Sequence, residues 1–281
     1  TMRKSVVATV IKKVTKIKKL IIWSRDERKE FEMSSQFTSK KHKILRYYLG
    51  DVRDKERVKR AIEGVDYIIH AAALKQVNAA EKNPLEFIKT NILGAQNIID
   101  TSLDANVKKV IALSSDKAAS PINLYGATKL CSDKLFIAAN SYVGSRKLSF
   151  SVIRYGNVLG SRGSVLKVFL EKKKNSMPFG ITDYKMTRFN LNIKQAVEST
   201  IWALTNSLGG EIVVPKIPSF KIIDLATAID KNRKKIIIGR GLGEKLHEEL
   251  ISSSDSYTTY DIGKYYLILP SQIPEQIDKF K

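Results

Sequence analysis

The sequence predicts an α/β fold: an open, doubly wound parallel sheet with a smaller C-terminal α/β unit. Three observations predict it. Short apolar, β-branched runs at 19–23, 44–49, 65–70, 110–113 and 148–155 alternate with helical patterns. Such alternation calls for parallel strands joined by right-handed crossovers. Each run stops at polar or small residues, as a buried strand does where it leaves the sheet. A chain of 281 residues is also long enough to bury a full core.

The stretch 107–129, VKKVIALSSDKAASPINLYGATK, organises the rest. Its strand ends at Ser114-Ser115-Asp116-Lys117, delivering hydroxyl, carboxylate and amine to one place. Open α/β sheets bind ligands just beyond the carboxyl ends of their strands. A loop with Pro121 follows, then Tyr125 and Lys129 open a helix four residues apart, on one face. An ammonium beside a phenol favours the phenolate and pulls the tyrosine pKa from about 10 toward neutrality. Such a phenolate is a base for a hydroxyl proton while hydride leaves the carbon.

In chain order, 4–17 is expected to be helical, with Val6, Val7, Val10, Ile11 and Val14 on one face. The strand 19–23 ends in Ser24-Arg25, which suits a 2′-phosphate because a guanidinium bonds a phosphate bidentately. A helix through Phe37 follows, then the strand 44–49, the turn Gly50-Asp51-Val52, and a helix over 54–63. The strand 65–70 ends in Ala71-Ala72-Ala73, small residues that admit a dinucleotide close to the backbone. A helix over 84–105 carries Thr90 and Asn91 and leads into the central strand.

After the Tyr125 helix, the strand 148–155 ends in Gly156-Asn157, and a helix runs from Ser161 to about Lys174. Shorter elements follow: strands at 183–189, 211–214, 235–238 and 265–269, and helices at 193–207, 222–229 and 246–252. The expected division is 1–160 for a dinucleotide-binding domain and 161–281 for a substrate-binding domain. No strand and glycine-rich turn precede the first helix, although in this topology that strand would lie mid-sheet. The expectation is therefore an interrupted sheet, with Thr1 a truncation point or the chain a degenerate paralogue.

A net charge of +21 raises nucleic-acid binding as a rival. The lysines are scattered, however, and no helix-turn-helix, zinc spacing or aromatic-interleaved RNA motif accompanies them. The surface would equally draw anionic small molecules. No apolar run approaches a membrane span, and the start TMRKSVVATVIKK has no signal-peptide core. One cysteine, Cys131, excludes an internal disulfide and fits a reducing cytoplasm; it is expected to fill core within the Tyr125 helix.

The motifs SRDE (24–27), GDVRDKER (50–57), HAAALK (70–75), KTNILGAQN (89–97), ALSSDKAASPINLYGATKLCSDK (112–134), RYGNVLGSRGSV (154–165), MTRF (186–189), VPKIPS (214–219) and GEKLHEEL (243–250) occur in order. With them the chain resembles the extended short-chain dehydrogenase/reductases, and within these the inverting UDP-N-acetylglucosamine 4,6-dehydratases. The resemblance implies a Rossmann-like fold, an NADP cofactor and a redox-neutral reaction, used in surface polysaccharide or glycan synthesis. It implies that Tyr125, helped by Lys129, removes the C4 hydroxyl proton. Asp116 is implied as the acid for the leaving C6 hydroxyl and Lys117 as the C5 base, its pKa depressed by Lys129 or burial. Ser115 retains the hydroxyl that usually precedes the Asp-Lys pair.

For NADP the resemblance implies Ser24, Arg25 and Lys29 at the 2′-phosphate and Asp51 and Val52 at the adenine. Ala71, Ala72 and Lys75 would lie along the dinucleotide, with Asn91 near the ribose or nicotinamide and Tyr125 and Lys129 completing the site. For the UDP-sugar it implies Lys75, Asn157, Arg162, Val165, Thr187, Arg188 and Glu244. It also implies a cytoplasmic homo-oligomer without a metal, nucleic acid or membrane partner. A 4-epimerase and a catalytically impaired sugar-nucleotide-binding paralogue are the alternatives; the Asp116-Lys117 pair argues against the epimerase.

Overall fold

The computed structural model describes residues 2–13, 17–161 and 163–270. In chain order the elements of the first half are α1 (Met2–Lys13), β1 (Leu20–Ser24), α2 (Glu27–Gln36), β2 (Leu45–Leu49), α3 (Lys55–Ile62), β3 (Tyr67–His70), α4 (Val77–Lys82), α5 (Pro84–Phe87), α6 (Gly94–Asp104), β4 (Lys109–Leu113), α7 (Leu124–Ala138) and β5 (Ser149–Ile153). The second half adds β6 (Asn157–Val158), α8 (Val165–Lys174), β7 (Phe179–Ile181), β8 (Thr187–Leu191), α9 (Ile193–Asn206), β9 (Ile212–Pro215), β10 (Ser219–Lys221), α10 (Ile222–Ile229), β11 (Lys235–Ile237), α11 (Ser253–Ser256), β12 (Thr259–Asp261) and β13 (Tyr265–Ile268).

The main sheet runs β12-β13-β9-β5-β4-β3. Its β3-β4-β5-β9 stretch is parallel, and β13 returns antiparallel against β9. Side chains alternate across these strands. Val110, Ala112, Phe150, Val152, Ile212 and Val214 enter one apolar core with Ile98, Ile99 and Phe136. Ile111, Ile153 and Val213 enter a second with Ala196 and Ala203 of α9. Burial on both faces explains why these strands read as largely apolar runs.

β1 and β2 form a separate parallel pair, packed on Val7 and Met33. Among the described residues neither β1 nor β3 pairs on its second edge, and both border one cavity of 2620 Å³. The sheet is thus interrupted between β1 and β3.

Two local expectations need correction, and the main sheet bridges one expected boundary. β9, β12 and β13 join the main sheet, so pairing crosses the boundary expected at 160. What stands apart in the second half is a small core of Phe169, Phe179, Ile181, Met186, Ile222 and Ala226 under α8 and α10. The helix expected at 246–252 does not form: this segment bonds instead to β8, Thr187 N donating to Leu246 O at 3.1 Å. Cys131 is exposed rather than core-filling, because α7 turns Ser132, Asp133 and Phe136 inward.

The helix expected over 84–105 is continuous in direction but widens to a π-helix over Ile88–Leu93. The predicted helical residues 14–16 lie outside the described residues. Among those described, no helix is long and apolar enough to cross a membrane.

Candidate active site

The carboxyl end of β4 opens into a 3₁₀ turn, Asp116–Ala118. Ser115 Oγ caps it, accepting from Lys117 N at 3.3 Å and donating to Asp116 Oδ1 at 2.8 Å. Asp116 is fully buried, and its Oδ2 has no hydrogen-bond partner. Lys117 Nζ stands 3.3 Å from Asp116 Oδ1 and 3.0 Å from Glu248 Oε1.

α7 starts beside this turn because Asn123 caps it, accepting from Gly126 N at 2.8 Å. Asn123 Nδ2 also donates to Gly243 O at 2.8 Å, fastening the 243–249 segment over the site. Tyr125 is 8% exposed and lines the cavity with Ser115, Lys117 and Glu248. One helical turn on, Lys129 Nζ donates to Leu113 O at 2.8 Å, on the backbone of β4.

Electrostatics correct two expectations. Burial lifts the Tyr125 pKa above the ordinary phenol value; a hydrogen bond to Ser115 and the Lys117 charge oppose the rise without reversing it. Lys129 is itself buried, which lowers its pKa, and its bond goes to Leu113 rather than to the phenol. Burial also works to lower Lys117, but the carboxylates of Asp116 and Glu248 outweigh it and raise its pKa. Lys129 and burial therefore do not give the depressed lysine expected.

The stretch behind the site is held by a buried arginine. Arg154 is 1% exposed and reaches Asp133 Oδ2 at 3.3 Å, Asp255 Oδ2 at 2.9 Å and Leu250 O at 3.2 Å. Ser114 Oγ donates to Asp133 Oδ2 at 2.7 Å. Strand β4, helix α7 and residues 250–255 are thereby locked together.

At the other end of the cavity, Ser24 ends β1 and Arg25 follows, exposed and 3.4 Å from Asp51 Oδ2. Lys29 pairs with Asp26. Asp51 also accepts from Arg53 at 2.8 Å; burial acts to raise its carboxyl, but the arginine bonds prevail and its pKa lies below the ordinary value. Val52 packs in the main core while its carbonyl accepts from Asn97 at 2.9 Å. Ala71, Ala72, Ala73 and Lys75 are exposed along the cavity wall.

Asn91 is 1% exposed and does not face the cavity. Its Oδ1 accepts from Leu74 N at 2.8 Å, while Nδ2 donates to Leu74 O at 2.9 Å and Thr128 Oγ1 at 3.0 Å. It ties the loop after β3 to α7 through its side chain.

Asn157, Val165, Arg188 and Glu244 line the same cavity nearer the C-terminal half. Arg188 Nη2 lies 3.3 Å from Glu244 Oε1, and its Nη1 donates to Thr187 O at 2.7 Å. Thr187 Oγ1 bonds His247 Nδ1 at 2.7 Å. Arg162 lies outside the described residues.

Sequence reasoning missed Glu248 and the Arg154 cluster. The signal available for Glu248 was three glutamates within GEKLHEEL in a strongly basic chain. No metal-binding group of three or more His, Cys, Asp or Glu side chains occurs among the described residues.

The cavity of 2620 Å³ exceeds the usual ~300–1,000 Å³ of a small-molecule pocket, and part of it is the gap between β1 and β3. A strand-end serine and arginine, small exposed residues on the wall and a buried tyrosine fit an extended dinucleotide along one half.

A family model described as polysaccharide biosynthesis protein matches residues 2–270. The inverting UDP-N-acetylglucosamine 4,6-dehydratase of Campylobacter jejuni is 55% identical over 90% of this chain and 75% of its own length. The UDP-glucose 4-epimerase of Rickettsia akari is 40% identical over 91% of this chain and 75% of its own. The crystal structure of Pen from Bacillus thuringiensis superposes with a TM-score of 0.91 at 37% identity, covering 96% of this chain and 86% of that one.

Proposed function

Because the chain belongs to the polysaccharide biosynthesis protein family, with an extended short-chain dehydrogenase/reductase fold, we propose that it is an inverting UDP-N-acetylglucosamine 4,6-dehydratase, a hydro-lyase. The observation that carries this is the Asp116-Lys117 pair on one turn, whose lysine borders the cavity that Tyr125 enters. An epimerase needs the tyrosine; removal of water also needs an acid at C6 and a base at C5.

In this reading the cofactor is NADP, held by Ser24, Arg25 and Lys29 at its 2′-phosphate, with Asp51 and Val52 at the adenine. Ala71, Ala72 and Lys75 line its path, and Asn91 orders the loop that carries them. When bound, the dinucleotide would supply the hydride acceptor for C4 of the sugar and the hydride donor for C6.

The chain's own groups move the protons. Tyr125 takes the C4 hydroxyl proton, and the resulting ketone acidifies C5–H. Lys117 removes that proton as Asp116, in its acid form, protonates the departing C6 hydroxyl. Ser115 and Lys117 occupy Asp116 Oδ1, while its buried Oδ2 has no hydrogen-bond partner and is the oxygen assigned to the departing hydroxyl. Ser115 orients Asp116, and Lys129 steadies the end of β4. Reprotonation at C5 from the opposite face inverts that centre.

Asn157, Arg162, Val165, Thr187, Arg188 and Glu244 are assigned to the UDP-sugar, with Lys75 shared between the ligands. The division of labour is a dinucleotide half, residues 1–160, and a sugar half, 161–281, although the sheet spans both. The exposed apolar side chains of Leu85, Leu93 and Tyr142 support a homo-oligomer. A single exposed cysteine supports a reducing cytoplasm.

The test is incubation with UDP-N-acetylglucosamine and NADP⁺ in deuterated water, read by mass spectrometry and NMR. The expected product has lost one water, carries deuterium at C5 and has that centre inverted. An isomeric UDP-sugar would make the chain an epimerase, the reading that the Rickettsia relative favours. UDP-sugar binding without turnover would make it a binding paralogue.

A further inference from the structure

Residues 243–249 form a strap across the active-site turn, and most of its polar groups serve as fastenings. Lys245 Nζ donates to Ala119 O at 2.9 Å, and Ser120 Oγ donates to Glu249 Oε2 at 2.9 Å. Gly243 O is held by Asn123, Leu246 O by Thr187 N and Arg188, and His247 by Thr187. The strap thus bridges the 116–123 turn on one side and β8 on the other.

Glu248 does something else. Its side chain is 3% exposed, points into the cavity and meets the Lys117 ammonium at 3.0 Å. Its second oxygen, Oε2, is buried without a hydrogen-bond partner. A carboxylate so placed is expensive unless a proton or a cation compensates it. Lys117 is the cation, and Asp116 is the competing acceptor at 3.3 Å. Arg188 is the other nearby charge, and it acts to lower the Lys117 pKa.

We propose that Glu248 is the positioning residue of the acid–base turn, holding Lys117 Nζ in place and accepting its proton before the C5 step. This rests on the dehydratase reading. One proton crosses from Lys117 Nζ to Glu248 Oε1, leaving a neutral amine and a neutral carboxylic acid. The amine lone pair then takes the C5 proton. The C5–H electron pair becomes the C5–C6 π bond, the C6–O bond breaks, and the leaving oxygen takes its proton from Asp116 as water. Separated charges in a buried site cost more than two neutral groups, which makes the exchange accessible. At rest the Asp116 and Glu248 carboxylates hold Lys117 protonated, so the amine lone pair is freed only when its proton passes to Glu248.

Glu248→Gln tests it, because glutamine keeps the shape and the acceptor oxygen but takes no proton. Rapid mixing with UDP-N-acetylglucosamine and NADP⁺ separates hydride removal, seen as transient reduced-dinucleotide absorbance, from loss of water. The expected result is an unchanged absorbance rise with water loss and C5 deuterium uptake slowed roughly a hundredfold, the lower range for a proton-transfer group. Glu248→Asp is expected to recover part of this. The Gln variant is also expected to move the acid limb of the pH–rate profile to lower pH, since one carboxylate raising the Lys117 pKa is gone. Wild-type rates and an unmoved limb in Glu248→Gln would overturn the inference alone, as would an equal loss of hydride removal and UDP-sugar affinity. A wild-type chain that releases no water would overturn the dehydratase reading, and this inference with it.

Discussion

Gly126 packs so tightly on Lys117 that a Cβ at this position would overlap the Lys117 carbonyl oxygen and lie 3.0 Å from Pro121 Cβ. The first turn of α7 and the 116–118 turn therefore share one backbone-to-backbone contact, and it sets the separation of Tyr125 from the Asp116-Lys117 pair. Gly126→Ala is expected to force the two apart. Overpacking of this kind costs about 1–3 kcal/mol, so urea unfolding should shift to lower denaturant. Dehydratase activity is expected to fall further than stability does. A variant with full activity and unchanged unfolding would mean that the contact does not set the site.

Tyr125→Phe removes the phenol while leaving the ring in its pocket with Ala80 and Phe87. Hydride removal is expected to slow by about 10²–10⁴, the usual contribution of a positioned base, with UDP-sugar affinity retained in calorimetry. Because burial raises the Tyr125 pKa, the phenol of the ligand-free chain stays protonated at neutral pH. Spectrophotometric titration of wild type against this variant should show one tyrosine ionising above the ordinary range.

Arg25 follows β1 at the cavity, exposed and only loosely paired with Asp51. A charged hydrogen bond to a phosphate contributes about 1.5–3 kcal/mol, or roughly ten- to a hundredfold in affinity. Arg25→Asp should therefore weaken NADP⁺ binding by that factor and leave NAD⁺ binding level or improved. Equal losses for both dinucleotides would remove Arg25 from the 2′-phosphate.

The strands of the main sheet were legible because burial on both faces leaves an unmistakable apolar run, as in Val110–Leu113 and Phe150–Ile153. The interruption between β1 and β3 was legible because no apolar run ahead of 19–23 reads as a strand. Other features depend on contacts distant in sequence. The Lys117 pKa is set partly by Glu248, which touches it in space but lies far away in sequence. The segment 246–252 has helical spacing, yet its backbone bonds to β8 and its side chains to the 116–123 turn prevail. Cys131 follows Leu130, but the helix phase set by Tyr125 and Lys129 turns it outward. The π-turn at Ile88–Leu93 has no local signature; it accompanies the burial of Thr90 and Asn91, whose partner Leu74 lies in another loop.

The interrupted sheet makes a prediction of its own. Among the described residues β1 and β3 each present one unpaired edge to the cavity, and Ile21, Ile22, Ile68 and Ile69 line it. A strand laid parallel between them would gain ladder bonds on both sides, each worth about 1 kcal/mol net. A following glycine turn would bring backbone N–H groups toward a bound pyrophosphate. Fusing an apolar strand and such a turn ahead of Thr1 is expected to raise the melting temperature and tighten NADP⁺ binding in calorimetry. If neither changes, the gap between β1 and β3 does not accept a strand.

His70 makes acid stability predictable. Its ring is buried at the end of β3 against Phe136, with centroids 5.5 Å apart. Burial, helped by the Lys129 charge, lowers its pKa from 6.5 to about 3. Above the unfolded value of 6.5 the imidazole is neutral in both states and contributes no pH dependence. Below it the unfolded chain takes up a proton that the folded chain refuses, so stability falls by about 1.4 kcal/mol per pH unit. The loss continues until pH approaches 3, where the folded state also protonates. His70→Phe keeps an aromatic ring there and removes the titration. Urea unfolding from pH 7 to pH 4 should therefore show a shallower loss of stability in the variant than in the wild type. Parallel slopes would mean that His70 already finds a proton in the folded chain and that its burial does not govern acid unfolding.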